Sequence, residues 1–221
     1  MLRVSVDLPG DTHTVFVSPP DSPRAVPSGI VSDDTPTLGE LRYPGYWADQ
    51  APDRPAILMT GSGQSMTFSE LDAEANRIAN LFTSLGLVPG DHMAFCLENR
   101  LEFLAVAWGA HYAGLYYTAI SSRLLADEIA YIVNDCGARV FVTSRSKADV
   151  AGEVSAVTPN VEARFTIGGP LEDHSPFEDA VAAQSSEPAA GRMEGLDMLY
   201  SSGTTGRPKG CLLYTSDAAD E

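Results

Sequence analysis

The sequence predicts an α/β fold: a three-layer, mostly parallel sheet with helices on both faces. Three observations predict it. Strand-like and helix-like stretches alternate between residues 92 and 167, the pattern of parallel strands joined by crossover helices. The run 92–97 is apolar almost throughout, as a strand covered on both faces requires. The strand-like stretch 197–200 leads straight into a glycine-rich loop, and ligands of open α/β sheets bind beyond strand C-terminal ends.

The elements follow in order. Residues 1–37 are rich in Pro, Ser, Asp and Thr. Val4, Val6 and Leu8 alternate with polar residues, Pro9-Gly10-Asp11 reads as a turn, and Val15-Phe16-Val17 returns as a partner strand. Residues 18–36 read as a flexible arm, and the globular part starts near Leu38. Tyr43, Tyr46 and Trp47 concentrate aromatic bulk, and 52–55 turns the chain. The stretch 56–59 reads as a strand, 61–64 as a turn and 65–68 as the returning strand of a hairpin. Thr67 and Glu70 form a capping box. The helix behind it places Leu71, Ala75, Ile78, Ala79, Phe82 and Leu85 on one face and ends at Gly86.

After the strand 92–97, residues 101–112 are apolar almost all round, which predicts a buried helix. The apolar run 104–120 approaches the length of a membrane span, about 18–20 residues. It contains His111, two glycines and a strand-like Leu115-Tyr116-Tyr117, so it reads as helix, turn and strand, with no integral membrane span. His111, without a nucleophile beside it, reads as a group that satisfies a polar partner in the core. Residues 124–135 form an amphipathic helix with Ile129, Ile132 and Val133 inward and Asp127 and Glu128 in the first turn, where the helix dipole favours them. Gly137 ends it. Residues 139–143 read as a strand, 147–156 as a weaker helix and 164–167 as a strand. Ser175-Pro176-Phe177-Glu178 reads as a second capping box with Pro at N1, opening a helix to about Ala183. A polar connector, 185–191, precedes the strand 197–200.

Composition narrows the function. The 221 residues are 44% hydrophobic, enough for one sizeable core or two small ones. There are 14 basic against 30 acidic residues, a net charge of −16, which argues against a nucleic-acid surface. Cys96, Cys136 and Cys211 show neither metal-ligand spacing nor a disulfide framework. They read as small buried hydrophobes in a reducing cytoplasm. No basic segment precedes an apolar run near the start, so no signal peptide is expected and the protein is expected to be cytoplasmic. No metal ligands and no catalytic residues are assigned.

The chemistry concentrates in 199–210, Leu-Tyr-Ser-Ser-Gly-Thr-Thr-Gly-Arg-Pro-Lys-Gly. Glycines allow positive φ and close approach of a ligand to the main chain. Successive N–H groups in such a loop form a nest for phosphate oxygens. Ser201, Ser202, Thr204 and Thr205 add hydroxyl donors, and Gly203 and Gly206 supply close-approach backbone. Lys209, one of two lysines in the chain, adds a mobile charge, and Arg207 is a weaker candidate on the rim. The loop reads as a grip for a polyphosphate. The nucleotide-triphosphatase pattern fails, because Pro208 stands where its second glycine belongs. The dinucleotide pattern fails as well, because Met66 follows Gly61-Ser62-Gly63 at the third glycine position.

Tyr-Ser-Ser-Gly-Thr-Thr-Gly-Arg-Pro-Lys-Gly, residues 200–210, resembles the signature loop of the adenylate-forming (AMP-binding) superfamily. The resemblance extends over roughly residues 40–210, through 46–57, 66–71, 88–91 and 99–142. Residues 114–120 and 129–135 resemble fatty-acyl-CoA synthetases more than peptide-synthetase domains. It implies residues 38–210 as part of the N-terminal adenylation domain of an ATP-dependent acid–thiol ligase. It also implies ATP, Mg2+ and coenzyme A as cofactors and small molecules as partners: ATP, a carboxylic acid, expected to be fatty, and coenzyme A. The loop would hold the β- and γ-phosphates of ATP through Ser201, Ser202, Gly203, Thr204, Thr205, Gly206 and Lys209. The family's adenine segment, acyl pocket, magnesium-binding acid and catalytic lysine follow this loop, so the chain by itself is expected to be inactive. Residues 211–221 look like a translated transposon-end sequencing adapter and are expected to be a non-native tail. The alternative for them is a real strand, 211–215, with an acidic end. The alternative function is a non-catalytic nucleotide- or partner-binding α/β module.

Overall fold

The computed structural model describes residues 2–4, 15–17, 43–189, 194–201 and 207–212. The turn at 9–11, the arm at 18–36 and residues 213–221 lie outside the described residues. The chain divides into two compact units, residues 1–73 with 99–102, and residues 74–98 with 103–221.

In the first unit, β1 (Leu2–Val4) pairs antiparallel with β2 (Val15–Val17), the expected partner strand; Val6 and Leu8, expected to alternate on the first strand, lie outside the described residues. The helix α1 (Pro44–Gln50) begins on Pro44, where a missing N–H costs nothing. Its Trp47 gathers the local aromatic bulk: the Phe68 ring lies 5.9 Å away and the Arg54 guanidinium 5.8 Å from the Trp47 ring. Strands β3 (Pro55–Leu58) and β4 (Ser65–Thr67) form the expected antiparallel hairpin. The helix α2 (Phe68–Ser84) opens on the expected capping box. The Glu70 N–H donates to Thr67 Oγ1 at 3.2 Å, and the Thr67 N–H donates to Glu70 Oε2 at 2.8 Å. Two donors of the first turn are thus satisfied reciprocally.

In the second unit, Ala75, Ile78, Ala79 and Phe82 of α2 are buried, as their spacing predicts, and Leu81 and Leu87 join them. Leu85 lies past the helix end and is half-buried. Gly86, at φ 81°, closes the helix: its N–H donates to Thr83 O and the Leu87 N–H to Phe82 O. This crossed pair satisfies the last carbonyls and needs a left-handed residue between the two donors.

The sheet of this unit holds β5 (His92–Leu97), β6 (Tyr116–Ser121), β7 (Val140–Ser144), β8 (Ala163–Ile167), β9 (Ser175–Pro176), β10 (Leu196–Ser201) and β11 (Lys209–Leu212). Their order is β11-β10-β6-β5-β7-β8-β9, parallel throughout except for the antiparallel β10–β11 pair. The crossovers carry α3 (Leu101–Tyr112), α4 (Ala126–Asp135), α5 (Ala148–Ala156) and α6 (Phe177–Ala182).

The two faces of β5 show the layering. Ala94 and Cys96 join Ile120, Phe141, Val154 and the α4 residues Ile129, Ile132 and Val133 in one core cluster. From the opposite face, the Phe95 ring meets Phe103 of α3 at 5.0 Å. All of β5 except His92 is buried, so its nearly unbroken apolar run reflects burial on both sides. The run 104–120 resolves as expected into helix, turn and strand, and no helix among the described residues is long and apolar enough to cross a membrane.

Below the N-terminal ends of β5, β7 and β8, Arg139 ties the preceding loops together. Its guanidinium donates to both carboxylate oxygens of Glu162 at 2.8 Å and also pairs with Asp91. The hydrogen bonds from Arg139 hold the Glu162 carboxyl below the usual carboxylate range.

The expected start of the last helix needs correction. Ser175 and Pro176 do not open a capping box; they extend as β9 beside Phe165 and Thr166 of β8. Pro176 becomes the N-cap of α6 and makes no side-chain cap. Glu178, the expected partner of Ser175, instead accepts the N–H of Gly168 at 2.7 Å. Pairing with the sheet edge displaces the local cap because it uses the same residues in extended form.

Candidate functional site

Strand β10 lies parallel to β6, with Leu196 opposite Tyr116 and Asp197 opposite Tyr117, and delivers Ser201 to the carboxyl edge of the sheet. Strand β11 returns antiparallel beside it, pairing Ser201 with Lys209, Tyr200 with Gly210, Leu199 with Cys211 and Met198 with Leu212. Ser201 and Lys209, the first and last of the expected donors, therefore face each other across the neck of the loop, both exposed. Ser202, Gly203, Thr204, Thr205 and Gly206 lie outside the described residues. Gly210 lies close under two side chains: a Cβ there would meet the flexible end of Met198 at Cε and stand 3.0 Å from Tyr200 Cζ.

The helix α4 reaches both stems of this loop. On the incoming side, Tyr200 Oη donates to Asp135 Oδ2 at 2.7 Å. Burial pushes the Tyr200 phenol well up, and the bond to Asp135 adds to the effect. On the outgoing side, Tyr131 Oη donates to the Pro208 carbonyl at 3.1 Å. The Arg207 guanidinium lies over the Tyr131 ring, 5.1 Å from its centroid, within cation–π range. Sequence reasoning missed Tyr131 and Asp135. The available signal was a tyrosine beside the inward residues Ile129, Ile132 and Val133, since a half-buried phenol normally finds a partner.

The start of β10 is fixed by His111. A carbonyl only accepts, so His111 Nδ1 carries the proton of its 2.7 Å bond to Gly195 O. In return the Gly195 N–H donates to His111 O at 2.9 Å, and the Leu196 N–H donates to Leu115 O at 3.1 Å. Burial lowers the His111 pKa, which keeps the ring neutral, although the Gly195 bond and the nearby Asp197 and Glu194 charges pull the other way. The expected role, satisfying a polar group in the core, is the one observed.

Farther along the same edge, Glu98 Oε2 accepts from Ser144 Oγ at 2.5 Å and Ser146 Oγ at 2.7 Å. Lys147 Nζ donates to Ser122 O at 2.5 Å, so one of the two lysines is committed to the scaffold. Cys96 and Cys136 are buried free thiols, and burial pushes Cys96 up to about 11. Cys211, expected to be buried, is exposed because it sits on β11. Among the described residues no group of three or more His, Cys, Asp or Glu is arranged to hold a metal ion.

The architecture defines a class: an α/β protein with a flanked parallel sheet and a strand–loop–strand unit at its carboxyl edge. Residues 46–219 match the family described as AMP-binding enzyme, and the chain belongs to that family. It is similar to the long-chain fatty acid transport protein 1 of Bos taurus, 33% identical over 175 residues, covering 75% of this chain and 27% of that protein. It is similar to the long-chain-fatty-acid–CoA ligase FadD13 of Mycobacterium tuberculosis, 32% identical over 165 residues, covering 74% of this chain and 32% of that one. Among solved structures, the inhibitor-bound N-terminal domain of FACL13 from Mycobacterium tuberculosis superposes with a TM-score of 0.69. The identity there is 26%, and the match covers 77% of this chain and 42% of that one. The chain thus spans about a third or less of the length of the curated relatives it matches.

Proposed function

We propose that this chain is part of an ATP-dependent acid–thiol ligase acting in the cytoplasm. The ligase joins a fatty acid to the α-phosphate of ATP, releases pyrophosphate, and then passes the acyl group to coenzyme A. The observation that carries the reading is residues 200–210, whose hydroxyl-, glycine- and lysine-bearing sequence is held between β10 and β11 at the carboxyl edge. The names of the two curated relatives, a long-chain-fatty-acid–CoA ligase and a long-chain fatty acid transport protein, support the acid class. The buried free thiols Cys96 and Cys136 suit a reducing compartment.

The donor set suits a polyphosphate. Between Tyr200 and Gly210 there is no carboxylate to repel it, and Lys209 is exposed across from Ser201. In the proposed reaction, Lys209 and the hydroxyls of Ser201, Ser202, Thr204 and Thr205 meet the charge that develops on departing pyrophosphate. Gly203 and Gly206, without side chains, would let the main chain come close to it. Donors fixed in advance at such charge are commonly the largest contribution to catalysis. Magnesium and coenzyme A belong to the proposal, and no described residue is assigned to either.

The test begins by recovering the reading frame beyond Gly210, which also decides whether 211–221 is native. The longer protein is then assayed for carboxylate-dependent exchange of labelled pyrophosphate into ATP over a panel of acids of increasing chain length. Exchange with long-chain acids is expected. Absence of exchange with every acid overturns the reading.

A further inference from the structure

We infer that Tyr131 and Asp135 are positioning residues that clamp both stems of the 201–209 loop from one turn of α4; its catalytic consequence rests on the ligase reading above. The two residues are four apart on a helix, so they share a face. Asp135 takes the incoming stem through Tyr200 Oη at 2.7 Å. Tyr131 takes the outgoing stem twice, through its hydroxyl on Pro208 O at 3.1 Å and through its ring beneath Arg207.

The phenolic proton of Tyr131 has a second acceptor, Asp135 Oδ1 at 3.4 Å. The shorter bond to Pro208 makes the stem the preferred partner, and Asp135 remains available for Tyr200. Tyr131 and Tyr200 both pack against the core cluster that contains Ile129, Ile132 and Val133. The clamp therefore transmits the rigidity of the α4 layer to the two strands that carry the loop. It also accounts for Arg207: its charge is held over an aromatic face at the rim rather than pointed across the neck, which leaves Lys209 as the exposed cation opposite Ser201.

The spacing of partners is specific. Tyr200 pairs with Gly210 across the two strands, and its ring lies within 3.0 Å of where a Cβ on Gly210 would stand, so the small residue leaves the ring room beside it. Pro208 has no N–H of its own, so its carbonyl is the group through which Tyr131 can fix this residue's backbone.

The experiment compares amide hydrogen exchange in the 221-residue chain and in Tyr131→Phe, Tyr131→Leu and Asp135→Asn, with folding checked by circular dichroism. Losing the hydroxyl bond and the ring contact together is expected to speed exchange in 209–212 by about tenfold in Tyr131→Leu. Tyr131→Phe keeps the ring and is expected to fall between the wild type and Tyr131→Leu. Exchange in β5 and β7 stays unchanged. Wild-type exchange in 209–212 of folded Tyr131→Leu overturns the clamp, and so does equal acceleration throughout β5 and β7, which would make Tyr131 an ordinary core residue.

In the longer protein, Tyr131→Leu is expected to raise the KM for ATP by about tenfold with the KM for the acid unchanged, and Tyr131→Phe to recover part of the loss. Unchanged KM for ATP in both variants overturns the catalytic consequence. A wild-type enzyme without pyrophosphate exchange overturns the ligase reading, while the hydrogen-exchange comparison decides the clamp by itself.

Discussion

His111 Nδ1 lies 2.7 Å from the carbonyl oxygen of Gly195, a residue 84 positions further along the chain. The contact joins the C-terminal turn of α3 to the residue before β10 and sets where that strand begins. Gly195 has no room for a side chain: a Cβ would collide with Leu115 O and stand 2.9 Å from Leu115 N and 3.1 Å from Ala110 O. These are backbone atoms and do not rotate away. Gly195→Ala is expected to cost about 3 kcal/mol in urea denaturation. Gly152, exposed inside α5 with open space around a Cβ, is the control. Gly152→Ala is expected to add up to about 1 kcal/mol.

Acidification tests the buried imidazole. Burial places the folded-state pKa of His111 below 6.5, and His92 is lowered for the same reason. In the interval between the folded and unfolded values, the unfolded chain binds more protons. Stability is therefore fully present above pH 6.5, falls as the pH drops below it, and the loss is complete below the folded pKa. His111→Asn keeps an N–H donor one bond from Cγ and does not titrate. Its midpoint denaturant concentration is expected to depend less steeply on pH below 6.5 than the wild type's, with His92 contributing to the slope that remains. Parallel curves for the two proteins would remove His111 as the source.

Thr67→Ala removes the acceptor for the Glu70 N–H at the start of α2. Denaturation is expected to show a loss of about 1 kcal/mol. Glu70→Gln retains an oxygen for the Thr67 N–H and is expected to lose less.

Lys209→Ala, made in the longer protein, is expected to lower kcat for pyrophosphate exchange by about 100-fold, as removal of one fixed donor to developing charge does elsewhere. Lys147→Ala is the control, since that ammonium donates to Ser122 O within the scaffold. An equal effect of both substitutions would deny Lys209 its assigned place.

Much of this fold was legible because its signals are local. The 92–97 strand and the 101–112 helix stand where their apolar runs begin and end, and Thr67 with Glu70 carries its own hydrogen-bond logic within one turn. The same local logic failed at Ser175, where an edge position beside β8 outbid the cap. Cys211 reads as a small hydrophobe until its neighbours are known; on β11 it is exposed. Of the candidate site, the residue types of 200–210 suggest a grip for a polyphosphate, and the structure places Ser201 opposite Lys209. The anchoring of the loop could not be read. Tyr131 and Pro208 are 77 residues apart, and Tyr200 and Asp135 are 65 apart. The need for glycine at 195 exists only once Ala110 of α3 and Leu115, just before β6, are packed against it.

Among the described residues, the two borders of the seven-stranded sheet differ in length and in the main-chain donors they present. At one border stands β9, two residues long and ending in Pro176, which offers no N–H to a newcomer. At the other stands β11, four residues long, which among the described residues is hydrogen-bonded along one side only. Among the described residues, the Lys209–Leu212 segment is therefore the border with more main-chain groups left to pair, and the Ser175–Pro176 border is short and lacks one N–H.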